Sequence, residues 1–161
     1  MRISPRLPFA VSLFAGIGLV IAAVAMAQLM RLAACPLCIL QRMLDLAIAA
    51  AAILGLLTIR IRALNALAAL LMACFAATGV FVAGYQTYLQ RFARDTQCSG
   101  AMAWWEVLVD WAGEKSPLLF QASGLCSEPG WKFIGLSIAE WSLLAFCFLT
   151  LVGLFALLRR R

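Results

Sequence analysis

Four long apolar runs constrain this chain more than any other feature of its sequence. They cover residues 7–30, 39–59, 63–90 and 138–158. Charged residues inside the runs lie close to the start of their run: Arg42, Asp45 and Glu140. A helix needs about 20 apolar residues to cross the hydrocarbon core of a bilayer, and the short alternating segments of a membrane β-barrel do not occur here. The sequence therefore predicts an all-α integral membrane protein with a four-helix transmembrane bundle.

The composition excludes several classes of protein. Hydrophobic residues make up 65% of the 161 residues and charged residues only 12%, whereas soluble domains are about 25% charged. A soluble enzyme, a disordered chain and a nucleic-acid-binding protein are therefore poor interpretations, and the net charge of +6 is typical of the positive-inside bias of membrane proteins. The chain contains no histidine, which excludes His-based triads, His metal ligands and His proton shuttles.

The distribution of charge predicts the orientation. One side of the predicted bundle collects basic residues and no acidic residue: Arg2, Arg6, Arg60, Arg62, Arg159, Arg160 and Arg161. We therefore expect both termini and the 60–62 link to face the cytoplasm. The whole chain, 1–161, is expected to form a single membrane domain. Its predicted spans cover about 8–30, 39–59, 63–88 and 138–158, and its outer loops cover about 31–38 and 91–135.

The first apolar run has one competing interpretation. Arg2 and Arg6, followed by an apolar run and by Ala25-Met26-Ala27, partly resemble a signal peptide with its cleavage site. The apolar region of a signal peptide is only about 7–15 residues long. Because this run is far longer, we expect it to be retained as the first span.

Four of the six cysteines fall on the outer side: Cys35, Cys38, Cys98 and Cys126. Two structural disulfides or a four-thiolate zinc site would also use such a set, although zinc sites favour a second C-x-x-C, which is absent here. Cys74 and Cys147 lie near the middle of predicted spans, where a thiol is an inert apolar filler.

The Cys35-x-x-Cys38 spacing is that of a redox-active dithiol. Cys38 opens the second run, where the positive end of the helix dipole favours a thiolate. Arg42 lies one turn further on the same face and favours the thiolate too. Two other roles for Arg42 stay open, an interfacial anchor that snorkels to water and a partner for Asp45.

The two outer loops are predicted to serve different partners. The short loop holds Cys35 and Cys38 at the membrane surface, within reach of a lipid-soluble oxidant, whereas the long loop can present Cys98 and Cys126 to a water-soluble protein. Within the long loop, Trp104, Leu108 and Trp111 share one helical face, and another face carries Glu106, Asp110 and Glu114. This pattern predicts a short interfacial helix that keeps the loop near the bilayer, with Trp131 and Phe133 as further anchors.

These residues resemble the disulfide bond formation protein B (DsbB) family of bacterial inner-membrane quinone reductases. The most specific motif is C-x-x-C-x-x-x-R, from Cys35 to Arg42. A second is the segment 122–126, Ala-Ser-Gly-Leu-Cys, followed by Trp131, Gly135-Leu136 and Trp141. The resemblance covers essentially the whole chain, and Cys98 occupies the position of the family's first cysteine in the long loop.

The resemblance implies a protein-dithiol:quinone oxidoreductase with ubiquinone or menaquinone as acceptor. A periplasmic DsbA-like protein of thioredoxin fold would attack a Cys98–Cys126 disulfide, most readily at Cys98. Released Cys126 would attack Cys35, and Cys38 would leave as a thiolate beside the quinone. Arg42 would stabilise the Cys38 thiolate and the negative charge that develops on the quinone. No metal is implied, and the expected location is the bacterial inner membrane, with several spans and cytoplasmic termini.

Some family members carry a histidine near the outer end of the third span, where this chain reads Gly84-Tyr85-Gln86-Thr87-Tyr88. Tyr85, Gln86, water or solvent bound by Arg42 would have to handle protons instead. Three alternatives stay open: an enzyme of the vitamin K epoxide reductase type, a metal transporter that uses the outer thiolates, and a paralogue with one dedicated partner. The first is disfavoured because its C-x-x-C occurs late in the chain.

Overall fold

The computed structural model describes residues 4–92, 104–128 and 130–159. Four long helices dominate this part of the chain, and two short helices and two short strands lie between the third and the last. The helices are α1 (Leu7–Leu29), α2 (Pro36–Leu57), α3 (Arg62–Phe92), α4 (Trp104–Lys115), α5 (Pro117–Phe120) and α6 (Ile138–Leu158), and the strands are β1 (Lys132–Phe133) and β2 (Leu136–Ser137). By length and composition, α1, α2, α3 and α6 are each able to cross a membrane. The predicted all-α four-helix membrane fold is confirmed.

The four long helices pack in the order α1, α2, α3, α6, and α1 meets α6 less extensively. Small residues on α3 allow close approach, and Ala68, Ala69 and Ala76 are fully buried. Large side chains fill the space opposite glycines: the Phe146 ring of α6 packs onto Gly79, where an added Cβ would overlap it. Small residues at helix contacts are typical of membrane bundles, because helices there associate through close packing.

Local sequence signals set where α2 and α6 begin. Pro36 occupies the first position of α2, where its missing N–H costs nothing, and Cys35 caps the helix by accepting a hydrogen bond from the Cys38 backbone. At the start of α6, Ser137 and Glu140 form a capping box. Glu140 also accepts hydrogen bonds from Arg91 of α3.

The bounds of two helices differ from the predicted spans. Helix α2 begins at Pro36 rather than at about 39, because the cap and the proline define an earlier start. Helix α3 continues to Phe92, beyond the predicted 88, since no proline or glycine interrupts it and Arg91 gains an ion pair with Glu140. Both extensions lengthen the helices at the end of the bundle that carries the long loop.

The long loop holds more structure than the one predicted helix. That helix is present as α4, with Val109 and Ala112 buried towards the bundle and Trp104 79% exposed. A second short helix, α5, follows it, and β1 and β2 then form a hairpin whose turn residues, Ile134 and Gly135, both have positive φ. Trp131 stacks on Phe133, and the Trp141 indole N–H donates to the Phe133 carbonyl, 3.2 Å away. These contacts fix where the loop returns to α6.

Candidate active site

The first turn of α2 holds the C-x-x-C pair. Cys35 is the N-cap and Cys38 the third helical residue, and their Sγ atoms lie 2.8 Å apart in a hydrogen bond. The Cys38 backbone N–H donates to Cys35 Sγ over 3.3 Å. Cys35 is buried, whereas Cys38 keeps partial exposure. Both sulfurs therefore lie at the N-terminal end of α2, where the backbone N–H groups of the first helical turn favour a negatively charged sulfur.

The long loop places its segment 122–126 directly on the short loop. The backbone N–H groups of Ser123 and Gly124 both donate to the Ala34 carbonyl, over 2.8 and 3.0 Å. A Cβ on Gly124 would overlap the Ala33 backbone, so only glycine allows the two loops to approach this closely. The contact joins residues next to Cys35 with residues next to Cys126.

Cys126 consequently reaches the same helix end. It is buried, and its thiol shares a hydrogen bond with Cys35. That bond lowers the pKa of Cys126, and a further bond from the Leu37 backbone N–H acts in the same direction. The pKa of Cys35 is raised, first by its hydrogen bond with Cys126 and then by its bond with Cys38. Cys35 therefore holds its proton while Cys126 ionises first.

Arg42 joins three parts of the molecule one turn below Cys38. Its Nη1 donates to the Leu119 carbonyl of α5 over 2.9 Å, and its Nη2 donates to the Ala23 carbonyl of α1 over 3.3 Å. The side chain is only 7% exposed, so the alternative of an anchor that snorkels to water does not describe it. Arg42 instead ties the long loop and α1 to α2, close to the sulfurs.

The alternative in which Asp45 neutralises Arg42 is not observed. The two residues form no ion pair, and Asp45 is buried with its Oδ1 lacking a partner within the part of the chain that the structure describes. Asp45 lies one turn deeper in α2, and its backbone carbonyl lies beside Gly16 of α1. No carboxylate neutralises the Arg42 guanidinium within the described residues. It therefore remains positively charged next to two carbonyl oxygens and close to the sulfurs.

Two amide side chains complete the site, and their contacts with the sulfurs and with each other were not predicted from the sequence. Gln86 of α3 donates through Nε2 to Cys35 Sγ over 3.2 Å and to Cys38 Sγ over 3.1 Å. Gln41 of α2 donates to Gln86 Oε1 over 2.7 Å. Gln86 was named from sequence only as a possible proton carrier, and Gln41 was not named. The available signal was a polar amide three residues after Cys38 and another inside a long apolar run.

The remaining predicted residues lie elsewhere. Cys98 lies outside the described residues. Cys74 and Cys147 are exposed on the outward faces of α3 and α6 rather than filling the bundle interior. Tyr85, another suggested proton carrier, is about half exposed, next along α3 to the Gln86 that contacts the sulfurs.

Comparison with known proteins gives a consistent result over almost the whole chain. Residues 5–156 match the family model described as "Disulfide bond formation protein DsbB". A protein of Dechloromonas aromatica named disulfide bond formation protein B is 40% identical over 133 residues, which cover 81% of this chain and 78% of the relative. A protein of the same name from Stutzerimonas stutzeri is 34% identical over 163 residues, covering 98% and 97% of the two chains.

Proposed function

The chain belongs to the DsbB family of disulfide bond formation proteins, and from that premise we propose that it is a protein-dithiol:quinone oxidoreductase. In this proposal it reoxidises a periplasmic DsbA-like protein of thioredoxin fold and passes two electrons to membrane quinone. The observation that carries the proposal is the meeting of Cys126, from the long loop, with Cys35 at the start of α2. The coarser activity, a disulfide oxidoreductase in a multi-pass membrane protein, follows from the family and the four apolar helices.

The first exchange takes place in the long loop. A thiolate of the reduced partner attacks the Cys98–Cys126 disulfide at Cys98, which gives a mixed disulfide and releases Cys126 as a thiolate. The second thiol of the partner then resolves the mixed disulfide, so the partner loses two electrons and leaves oxidised. In the fully reduced protein the pKa of Cys126 is lowered by its hydrogen bond with Cys35 and by the Leu37 backbone N–H. While Cys35 is held in its own disulfide, the Leu37 N–H is the one of these two donors that can stabilise the departing Cys126 thiolate, and a stabilised thiolate leaves faster in disulfide exchange.

The second exchange transfers the electron pair between the loops. Cys126 attacks the Cys35–Cys38 disulfide at Cys35, which breaks that bond, forms Cys35–Cys126 and releases Cys38 as a thiolate. Cys98 then attacks Cys126, which restores the Cys98–Cys126 disulfide and leaves Cys35 and Cys38 reduced. The Gln86 amide donates to Cys38 Sγ and stabilises the negative charge on that sulfur.

Cys38 and Arg42 are the residues that fit a quinone. Cys38 is the partially exposed sulfur of the three that meet here, and Arg42 has five N–H donors, two of which contact carbonyl oxygens. A bound ubiquinone or menaquinone supplies the terminal acceptor, which takes up two electrons and two protons. Cys38 and Arg42 would hold this group, and Arg42 would orient it and stabilise negative charge beside Cys38.

The proposed location is the bacterial inner membrane, with both termini in the cytoplasm and the sulfurs at the periplasmic surface. This orientation is supported by the arginines at the opposite end of the bundle, which include Arg6, Arg60 and Arg62. It is also supported by the chemistry, because disulfides persist in the periplasm.

The test uses the full-length protein purified in detergent, a reduced DsbA-type protein and a soluble quinone. We expect quinone absorbance to fall in step with the loss of partner thiols, one quinone for each disulfide formed. Cys126→Ser should be inactive, and the matched Cys74→Ala/Cys147→Ala protein should be active. Purified protein that carries tightly bound metal and leaves the partner's thiols reduced would instead support the alternative of a metal transporter.

A further inference from the structure

Gln41 and Gln86 form a buried amide pair between α2 and α3, in direct contact with the sulfurs. Gln86 is 3% exposed and Gln41 5%. The Gln86 amide nitrogen lies 3.2 Å from Cys35 Sγ and 3.1 Å from Cys38 Sγ, and its oxygen lies 2.7 Å from the Gln41 amide nitrogen. Every polar atom of the Gln86 amide is therefore engaged, two hydrogens by the two sulfurs and the oxygen by Gln41.

The Gln41 contact determines which end of the Gln86 amide faces the sulfurs. If the Gln86 amide were reversed, its NH₂ group would meet the Gln41 NH₂ group, donor against donor, and its oxygen would face the sulfurs. A carbonyl oxygen repels a thiolate, whereas an N–H stabilises it. With Gln41 donating as it does here, Gln86 is held in the orientation in which it donates to both cysteines.

The strength of these bonds depends on the redox state of the pair. A disulfide sulfur is a weak, neutral acceptor, whereas hydrogen bonds to an ionised acceptor are about twice as strong as neutral ones. Gln86 therefore stabilises the reduced pair, which carries a thiolate, more than the disulfide. A purely structural role would give no such difference, because an amide that only joins two helices contributes equally to both forms.

We propose that Gln86 is the hydrogen-bond donor that makes the Cys35–Cys38 disulfide a stronger electron acceptor, with Gln41 as the positioning residue that holds its amide. The inference deepens the proposed function, since it concerns how readily this pair takes two electrons from the long-loop dithiol. In this step the Cys35–Cys38 bond breaks and the Cys98–Cys126 bond forms, so two electrons pass from the loop pair to Cys35 and Cys38. The Gln86 N–H groups strengthen their bonds to the two sulfurs that receive the electrons.

The test is the equilibrium of the full-length protein, in detergent, with glutathione redox buffers. Free thiols are trapped by alkylation, and peptide mapping gives the reduced fraction of the Cys35–Cys38 pair. In Gln86→Met, which keeps side-chain length but has no N–H, we expect the equilibrium to shift about tenfold towards the disulfide, or about 30 mV. Gln41→Met should shift it in the same direction by less, because Gln86 remains but is no longer oriented.

Asn65→Leu is the matched control. Asn65 is also a fully buried amide of α3 that donates to α2, to the Gly55 carbonyl, but at the opposite end of the bundle. Its replacement should lower thermal stability and leave the redox equilibrium unchanged. An unchanged redox equilibrium in Gln86→Met would overturn the proposal, and so would an equal shift in Asn65→Leu. If Gln86→Met does not fold, the Gln41→Met variant decides, and an unchanged redox equilibrium in that variant would overturn the proposal. The measurement needs neither quinone nor partner protein, so it is independent of the assay of the proposed function.

Discussion

Cysteines occupy two different regions of the described structure, and the comparison shows what makes a thiol chemically useful in a membrane bundle. Cys35, Cys38 and Cys126 meet at the N-terminus of α2, where backbone N–H groups and a buried amide donate to sulfur. Cys74 and Cys147 face outward from α3 and α6 in the middle of their helices, where backbone N–H groups are used within the helix. The same side chain is therefore placed for redox chemistry in one region and is a small surface residue in the other.

The largest expected difference between the regions is in Cys126→Ser. The serine hydroxyl is close in size to the thiol but cannot form a disulfide, so electrons cannot pass from the long loop to Cys35. We expect quinone-dependent oxidation of the partner to fall to the background rate, as followed by quinone absorbance. Substantial turnover in this variant would mean that the two loops exchange electrons through another route.

Gly124→Ala should have the next largest effect, because it separates the two loops without removing a sulfur. Its Cβ would overlap the Ala33 backbone, so the hydrogen bonds of residues 123 and 124 to Ala34 would lengthen. A displacement of about 1 Å can cost about a hundredfold in rate, and we expect a loss of that order. Gly130→Ala is the control in the same loop, since its Cβ would only make ordinary contact with Leu32; equal losses in both would contradict the docking account.

Arg42→Lys tests the residue that joins the sulfur region to α1 and α5. Lysine keeps the charge but lacks the planar fork that reaches two carbonyl oxygens. We expect the KM for quinone to rise about tenfold, the equivalent of one or two hydrogen bonds, while thiol exchange between the two cysteine pairs continues. Normal quinone kinetics in Arg42→Ala would exclude the assigned role.

A smaller effect is expected within the reactive region itself. Because hydrogen bonds lower the pKa of Cys126 and raise that of Cys35, the thiolate of Cys126 exists at lower pH. In fully reduced protein near neutral pH, iodoacetamide should modify Cys126 before Cys35, and raising the pH should narrow the difference. Peptide mapping after timed alkylation measures the order of modification. Faster modification of Cys35 would show that Cys126, rather than Cys35, keeps its proton.

The smallest effect is expected in Cys74→Ala/Cys147→Ala. Both side chains face outward, so we expect their removal to change the turnover rate by no more than about twofold. The equilibrium constant for unfolding should also change by no more than about twofold, the usual range for surface substitutions. The quinone assay and thermal unfolding check this. A folded double variant without electron transfer would show that the division into two regions is wrong.

The fold could be predicted from sequence because its signals are local. An uncharged run long enough to cross a bilayer has little choice but to form a helix, and the Trp104–Trp111 spacing indicated α4. The earlier start of α2 was also encoded locally, by Pro36 after a cysteine cap, but hydropathy alone places the boundary at the first continuous apolar residue. The α5 helix and the 132–137 hairpin carry short signals and were not predicted.

The three sulfurs that the structure brings together, those of Cys35, Cys38 and Cys126, could be named from sequence, but the contact of Gln86 with the first two could not. Cys35, Cys38 and Arg42 lie within one short motif, and the expected return of Cys126 to Cys35 agrees with the geometry. The Gln41–Gln86 pair depends on how α2 rotates against α3, which is decided by the packing of small residues along both helices. A polar side chain in an apolar run indicates a buried partner, but only the folded bundle shows that the partner is sulfur.

The most direct test of the central claim, that the loops exchange electrons where Cys126 meets Cys35, is non-reducing peptide mapping of Cys38→Ser. Without Cys38, the Cys35 thiolate has no disulfide of its own and can attack Cys126 of the Cys98–Cys126 disulfide, with which it is in contact. This exchange forms Cys35–Cys126 and releases Cys98 as a thiolate, so the bond between Cys35 and Cys126 should accumulate in the oxidised variant. We predict that the Cys35–Cys126 peptide becomes the main disulfide species while quinone reduction stops. An intact Cys98–Cys126 disulfide in the oxidised variant, with no Cys35–Cys126 peptide, would contradict the account.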